Sequence, residues 1–147
     1  MSSAASDVYK RQVPDTDLEQ VLDDEFDMLV LPGGLPGADN LDRDPRIHEL
    51  LRGMQQKGKY TAAISAAPKL LAKAGLLAEK QATSYPGFID AMDLPSTRVL
   101  EQAVVIDGKV ITSRGPGTAM DFALALIGEL AGPEVRDSVE TSLVRDD

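Results

Sequence analysis

The chain has 147 residues, no cysteine, and 24 acidic against 15 basic side chains, which gives a formal net charge of −9. This length predicts one compact domain, and the lack of cysteine excludes disulfides, thiolate nucleophiles and thiolate metal sites. The acidic balance disfavours nucleic-acid binding, and no apolar stretch approaches the ~20 residues of a membrane span, so we predict a soluble, cytoplasmic protein without either partner.

The N-terminal region predicts a lead-in, a helix and a strand. Residues 1–12 are small or polar without a period and predict a disordered lead-in, in which residues 6–12 resemble a translated adaptor tag. The folded domain is predicted over residues 13–147. Residues 17–25 carry leucine and valine at helical spacing, and the apolar run 26–31, stopped by Pro-Gly-Gly, predicts a strand buried on both faces.

The middle of the chain alternates helices and strands. An Asp-Pro pair opens a helix over residues 44–57, since aspartate caps helices and proline is accepted at their first position. Residues 60–64 predict a second strand, residues 66–77 an alanine-rich helix, and residues 81–85 a third strand.

The C-terminal part predicts a hairpin followed by two helices. Asp-Gly between residues 99–106 and 109–113 is a strong hairpin signal. Residues 118–130 predict a very apolar helix, in which Phe122 and Leu126 lie beside the main stripe, and residues 133–144 predict an amphipathic one.

Strands that alternate with helices indicate an α/β fold, an open and mainly parallel sheet with helices on both faces. In such sheets the ligand crevice lies outside the carboxyl ends of the strands. The turns after Leu31, Ile64 and Ser113 are therefore the places to look for a site.

The turn after Ile64 places Ser65 directly between a strand and a helix. This is the geometry of a nucleophile elbow, in which a side chain is held up at the strand end beside amide groups that stabilise an anion. The G-x-S-x-G pattern is absent, and an ordinary N-cap serine is the favoured alternative on the sequence alone.

The other two turns offer backbone amides and a cation. Gly33 and Gly34 allow the backbone to approach a ligand closely and could form an oxyanion hole. Taken alone, an ordinary turn is the favoured alternative, because Pro-Gly-Gly is common between elements. Arg114 precedes two glycines and could bind a carboxylate or phosphate, although the Walker lysine arrangement is absent and a plain loop is the favoured explanation.

The remaining polar candidates are weaker. His48 is the only histidine, and its polar neighbours predict a solvated surface residue rather than a general base. Asp42, Asp44 and residues 23–25 are predicted to be solvated caps or faces without metal-ligand spacing. We therefore expect no metal.

Taken together, the segments FDMLVLPGGLPGADNL, AAISAAPKLLAKAGLL and ITSRGPGTAMDFALALI resemble the DJ-1/PfpI superfamily, in the branch that contains a parkinsonism-associated protein deglycase. The resemblance implies a flavodoxin-like sandwich, a homodimer, no cofactor, and chemistry on small α-oxoaldehydes such as methylglyoxal or on glycated substrates. Family members are described as glyoxalases, as deglycases and as redox-responsive chaperones.

The family residues carry over position by position. The family's reactive cysteine corresponds to Ser65, and a second frequent cysteine, in the segment ATSYPGF, corresponds to Ser84. The oxyanion-binding elements correspond to Gly33, Gly34 and the backbone of Ala66, and Tyr85 stands where some relatives have a histidine. The resemblance also implies a preceding strand-helix-strand unit with an acidic partner for the cysteine, so we expect a truncated domain.

Serine in place of cysteine predicts little turnover, because a hydroxyl needs an adjacent general base whereas a lowered-pKa thiol does not. Two alternatives stay open. One is a non-catalytic holdase or oligomerisation module that uses Phe122, Leu126 and exposed sheet edges, and the other is a serine hydrolase built on the same elbow.

Overall fold

The computed structural model describes residues 14–145, and the predicted lead-in over residues 1–12 lies outside them. In the described part of the chain, no helix is both long and apolar enough to cross a membrane. The helices and strands, in chain order, are α1 Leu18–Val21, β1 Met28–Leu31, α2 Gly37–Asp42, α3 Pro45–Gln56, β2 Tyr60–Ile64, α4 Pro68–Lys73, β3 Gln81–Ala82, β4 Arg98–Val99, β5 Val104–Asp107, β6 Val110–Ser113, α5 Ala119–Ala131 and α6 Pro133–Leu143, with short 3₁₀ turns at Ile89–Ala91 and Pro116–Thr118.

The main sheet has four strands in the order β1-β2-β6-β5. β1, β2 and β6 are parallel, and β5 is antiparallel to β6. Asp107 pairs with Val110, so the hairpin turns through two residues that begin at Gly108, whose φ is 61°. The predicted mainly parallel sheet with one hairpin is confirmed.

The two faces of the sheet carry separate apolar clusters. On one face, Ala63 and Leu31 pack with buried side chains of α2, α3 and α4. On the other face, Ala62 and Ile111 pack against Phe122 of α5. Helices therefore cover both faces, and the carboxyl ends of the three parallel strands meet at one edge.

The prediction that β1 is buried on both faces is wrong. Val30 is 41% exposed and Phe26, just before the strand, is 41% exposed. β1 lies at the end of the sheet, and α5 packs on β5 and β6. Val30 pairs with Ala62 and lies on the same face of the sheet. On that face α5 packs against Ala62 but leaves Val30 exposed.

Four further elements are shorter than predicted. The helix predicted over residues 17–25 forms only over Leu18–Val21, and the strand predicted over residues 99–106 only over Val104–Asp107. The helix predicted over residues 66–77 forms only over Pro68–Lys73, and Gly75, with φ 87°, lies in the turn that follows. The strand predicted over residues 81–85 is limited to Gln81–Ala82, which pairs with β4 in a small parallel sheet that the sequence analysis did not predict.

The apolar helix α5 buries only part of the predicted stripe. Leu124 of that stripe is 1% exposed and Phe122 beside it is 6% exposed, whereas Met120 and Leu130 at the two ends of the stripe are 48% and 51% exposed. Phe122 therefore belongs to the core, and it is not available as the binding surface proposed for a holdase.

Candidate active site

Ser65 is held in the left-handed region of backbone space. Its φ is 66°, a conformation that costs a non-glycine residue ~1–3 kcal/mol and is found at functional turns. Its amide donates to the Ser113 carbonyl at 3.0 Å, and its carbonyl accepts from the Tyr85 amide at 2.9 Å. These two bonds fix the turn to the end of β6 and to the segment after β3.

The N-cap interpretation of Ser65 is wrong. The residue that precedes α4 is Ala67, and no side chain caps this helix. Ser65 is half-buried and lies two residues before that position. Its conformation is therefore that of a strand-to-helix elbow rather than of a helix cap.

Gly33 lies directly against Ser65. A Cβ on Gly33 would lie 2.5 Å from Ser65 Cβ, 2.8 Å from the Ile64 carbonyl oxygen and 3.2 Å from Ser65 Oγ. Only glycine fits there, since two of these neighbours are closer than real Cβ atoms come to other atoms. The structure thus brings the turn after β1 and the turn after β2 into contact, as the sheet topology predicts.

Three backbone amides around the Ser65 turn have no acceptor among the described residues. Within residues 14–145, the amides of Gly33, Gly34 and Ala66 donate to no protein acceptor. Ala66 is buried, at 2% exposure, and Gly34, with φ 94°, faces solvent. Amides with no internal acceptor are suited to an oxyanion, and this role for the three residues stays a prediction.

The loop after β6 closes on itself. Ser113 Oγ donates to the Ala103 carbonyl at 2.7 Å, and the Gly115 amide donates to Thr118 Oγ1 at 3.0 Å. Arg114 follows Ser113, the residue that accepts from Ser65, and its guanidinium makes no hydrogen bond or ion pair with the described residues. A carboxylate or phosphate at this edge could therefore bind Arg114.

Tyr85 forms an aromatic wall beside the elbow. Tyr85 is 48% exposed, and its ring lies edge-on to the ring of Phe88, with the centroids 6.4 Å apart. A Cβ on Gly115 would come within 3.1 Å of Tyr85 Cδ1, so the ring covers that glycine. Ser84 is 5% exposed, and its Oγ donates to the Tyr85 carbonyl at 2.9 Å and accepts from the Ile89 amide at 3.2 Å.

Lys69 was not predicted from the sequence, but its side chain contacts two segments that flank the site. Its ammonium donates to Asp39 Oδ1 in α2 and lies 5.7 Å from the centroid of the Phe88 ring. The hydrogen bond from Lys69 is the main cause that lowers the pKa of Asp39. Lys69 and Lys73 of α4 pair with Asp39 and Asp42 of α2. Residues three or four apart lie on the same face of a helix. Two aspartates and two lysines at these spacings are the signal that could have revealed the contact.

The prediction that His48 and Asp42 are solvated is wrong. Their side chains are only 14% and 13% exposed, and His48 Nε2 lies 3.1 Å from Asp42 Oδ1 and 2.9 Å from the Asp42 carbonyl. Both neighbours are acceptors, so Nε2 carries a hydrogen. His48 is thus occupied between α2 and α3, and within residues 14–145 Ser65 Oγ has no histidine or carboxylate as a hydrogen-bond partner.

A cavity lies away from Ser65. It has a volume of about 570 Å³ and is lined by α1, the start of β1 and α3, with Phe26, Met28 and Met54 in its wall. None of its lining residues belongs to the three turns, so we do not assign it to the Ser65 site. Among the described residues, no group of three histidine, aspartate or glutamate side chains could hold a metal ion.

Comparison with known proteins gives the chain a context. Residues 5–129 match the model of the DJ-1/PfpI family. Protein dj-1beta of Drosophila melanogaster is 45% identical over 132 residues, which cover 90% of this chain and 71% of that protein. The glutathione-independent glyoxalase DJR-1.2 of Caenorhabditis elegans is 40% identical over 129 residues, which cover 88% of this chain and 68% of that protein.

The three-dimensional comparison agrees. The crystal structure of Drosophila melanogaster DJ-1beta superposes with a TM-score of 0.86 and 42% sequence identity, and the match covers 92% of this chain and 73% of that one. The flavodoxin-like arrangement expected from the sequence is thereby confirmed.

Proposed function

The chain belongs to the DJ-1/PfpI family, and we propose that its elbow at Ser65 reacts with small α-oxoaldehydes such as methylglyoxal, at a rate limited by the hydroxyl nucleophile. The similarity to a nematode protein named as a glyoxalase supports this class of substrate. We further propose a cytoplasmic homodimer whose substrates include glycated groups, as expected for a deglycase. The boundaries of the domain, residues 13–147, remain part of the proposal.

The observation that carries the proposal is the left-handed backbone of Ser65, with Gly33 against it and three amides nearby that no protein group occupies. In the first step Ser65 Oγ bonds to the aldehyde carbon, and the π electrons of the carbonyl move to its oxygen. The amides of Gly33, Gly34 and Ala66 would stabilise that oxygen. Methylglyoxal has no acidic group, so Arg114 would act only on glycated substrates that carry a carboxylate or phosphate.

The hydroxyl limits the rate because its proton must leave as the carbon–oxygen bond forms. A serine hydroxyl is un-ionised at neutral pH and needs a base, whereas a thiol with a pKa of ~8.5 or lower is partly ionised without one. The described residues offer Ser65 Oγ no such hydrogen-bonded base. Water must take the proton, so we expect slow addition.

The test compares methylglyoxal consumption by the unaltered chain, Ser65→Cys and Ser65→Ala. We expect Ser65→Cys to consume methylglyoxal at least about tenfold faster than the unaltered chain, and Ser65→Ala to show only the background rate. An unaltered chain as fast as Ser65→Cys would refute the impairment. No gain in Ser65→Cys, together with no adduct in its mass spectrum, would refute the chemistry itself.

A second candidate function follows from the exposed apolar residues at the sheet edge. Val30 and Phe26 are each 41% exposed, which favours a non-catalytic holdase or oligomerisation module over one that uses the buried Phe122. Such a module would suppress client aggregation equally well with Ser65→Ala.

The serine-hydrolase alternative predicts that a fluorophosphonate probe labels Ser65, and an unlabelled protein would refute it.

A further inference from the structure

We propose that Lys69 is a positioning residue of the Ser65 site, which ties the helix after the Pro-Gly-Gly turn and the Tyr85 segment to the elbow, and that its charge and that of Asp39 offset each other at position 65. This inference rests on the proposed function, since it concerns the stabilisation of the anion that forms there. Lys69 lies in α4, outside the three turns that form the site.

Lys69 contacts both neighbouring segments. It lies four residues after Ser65, and its amide donates to the carbonyl of Ala66 at 3.3 Å. Its ammonium binds Asp39, in the helix that begins at Gly37 shortly after the Pro-Gly-Gly turn, and lies over the ring of Phe88.

The lysine of the pair is largely sheltered from solvent, whereas the aspartate is partly exposed. The Lys69 side chain is 16% exposed, and that of Asp39 is 39% exposed. Partly buried charges are screened less by solvent than exposed ones, and a cation over an aromatic face gains a further attraction. Phe88 in turn contacts Tyr85, whose amide binds the Ser65 carbonyl.

The charges of the pair act in opposite directions at position 65. Paired, the ammonium and the carboxylate largely cancel at a distance. Removing the carboxylate leaves a cation that favours an anion at position 65, and removing the ammonium leaves an anion that disfavours it. The other cations that act on Asp39 are Arg43 and Lys73, and both stay in place in either variant.

The chain carries its own matched control one helical turn away. Lys73 pairs with Asp42 at 2.6 Å, between the same two helices, but the Lys73 side chain is 51% exposed. Lys73 lies eight residues after Ser65, and Asp42 also binds His48. If the ion pairs only held α2 against α4, breaking either pair would have the same effect on the site. An electrostatic effect on position 65 would be specific to the pair of Lys69 with Asp39.

The experiment uses the full chain carrying Ser65→Cys, whose introduced thiol is the only one, because the chain has no cysteine. Its pKa is read from the ultraviolet absorbance of the thiolate as the pH is raised. Adding Asp39→Asn should lower that pKa and adding Lys69→Met should raise it, each by about 0.5–1 unit. Lys69→Arg keeps the cation and should restore the parent value.

The controls are Asp42→Asn and Lys73→Met, which we expect to leave the thiol pKa unchanged. Shifts of the same sign in Asp39→Asn and Lys69→Met, or equal shifts in the controls, would overturn the proposal. Circular dichroism checks folding, and Lys69→Gln replaces Lys69→Met should the latter unfold. The titration needs no turnover, so a protein inert towards methylglyoxal would refute the proposed function and leave this inference standing or falling on its own.

Discussion

At the scale of the residue, the strain at Ser65 is maintained by its neighbours. A non-glycine residue leaves the left-handed region unless its surroundings hold it there. Here the carbonyl of Ser113 and the amide of Tyr85 bind both backbone groups of Ser65. The sheet therefore stabilises a conformation that keeps the hydroxyl at the strand end, although no local sequence preference favours it.

Gly33 gives the first prediction at this scale. In Gly33→Ala the new methyl group would overlap Ser65 Cβ and the Ile64 carbonyl, which is backbone and cannot rotate away. We expect a loss of unfolding free energy of ~1–3 kcal/mol, as for other overpacked sites, measured by urea denaturation. Modification of Ser65→Cys by iodoacetamide should slow at the same time, because the methyl group crowds position 65.

Gly37→Ala is the matched control. No atom lies within 4 Å of a Cβ on Gly37, and its φ is not positive. Alanine in the first turn of α2 should therefore be neutral or slightly stabilising. Equal destabilisation by the two substitutions would mean that the contact between Gly33 and Ser65 does not constrain the site.

At the scale of the element, Asp44 is the N-cap of α3 and stabilises the start of that helix. Its carboxylate accepts from the Arg46 amide at 3.0 Å and forms an ion pair with the Arg46 guanidinium at 2.7 Å. The side-chain hydrogen bond from Arg46 is the largest cause that lowers the pKa of Asp44 below its ordinary value of 3.8. A carboxyl with a lowered folded pKa stabilises the fold above its unfolded pKa and loses that contribution as pH falls through the folded pKa.

Asp44→Asn separates the charge from the cap, because asparagine caps helices about as well as aspartate does. Near neutral pH we expect the unaltered chain to melt at a higher temperature than Asp44→Asn. The difference should begin to shrink as the pH falls below about 4 and should vanish once the carboxyl is protonated. A difference that stays constant down to about pH 2 would show that the charge contributes nothing.

The elements also show what a sequence can and cannot predict. The strand Tyr60–Ile64 and the helices after Asp44 and before Gly132 follow from local patterns, and they form close to the predicted bounds. The helix after Ser65 begins two residues later than predicted because residues 66 and 67 form the elbow turn, and it ends early at the turn that contains Gly75. The exposure of Val30, the burial of Phe122 and the pairing of Lys69 with Asp39 depend on which elements become neighbours, and no local pattern encodes that.

Some features of the candidate site could likewise be predicted from the sequence, and others could not. The three turns could be predicted to meet, because the carboxyl ends of parallel strands share one edge of the sheet. The contact between Gly33 and Ser65, the ring of Tyr85 over Gly115 and the occupation of His48 by Asp42 could not. These contacts are set by side-chain packing across elements that are distant in sequence.

At the scale of the whole molecule, the free side of β1 combines with the exposed Val30 to form an apolar edge. Within residues 14–145, β1 pairs with β2 alone. An unpaired strand edge with apolar side chains tends to pair with another chain, and the net charge of −9 opposes but does not prevent such pairing. We therefore expect concentration-dependent self-association through this edge.

Val30→Lys tests this expectation, because a lysine on an edge strand disfavours pairing by placing a charge where the partner would lie. We expect sedimentation velocity to show a smaller fraction of associated species for Val30→Lys than for the unaltered chain at the same concentration. Val135→Lys is the matched control, since Val135 in α6 is similarly exposed, at 46% against 41% for Val30, but lies away from the sheet. If both variants dissociate equally, net charge rather than the β1 edge controls association, and if the unaltered chain stays monomeric at every concentration, the edge is not used for self-association.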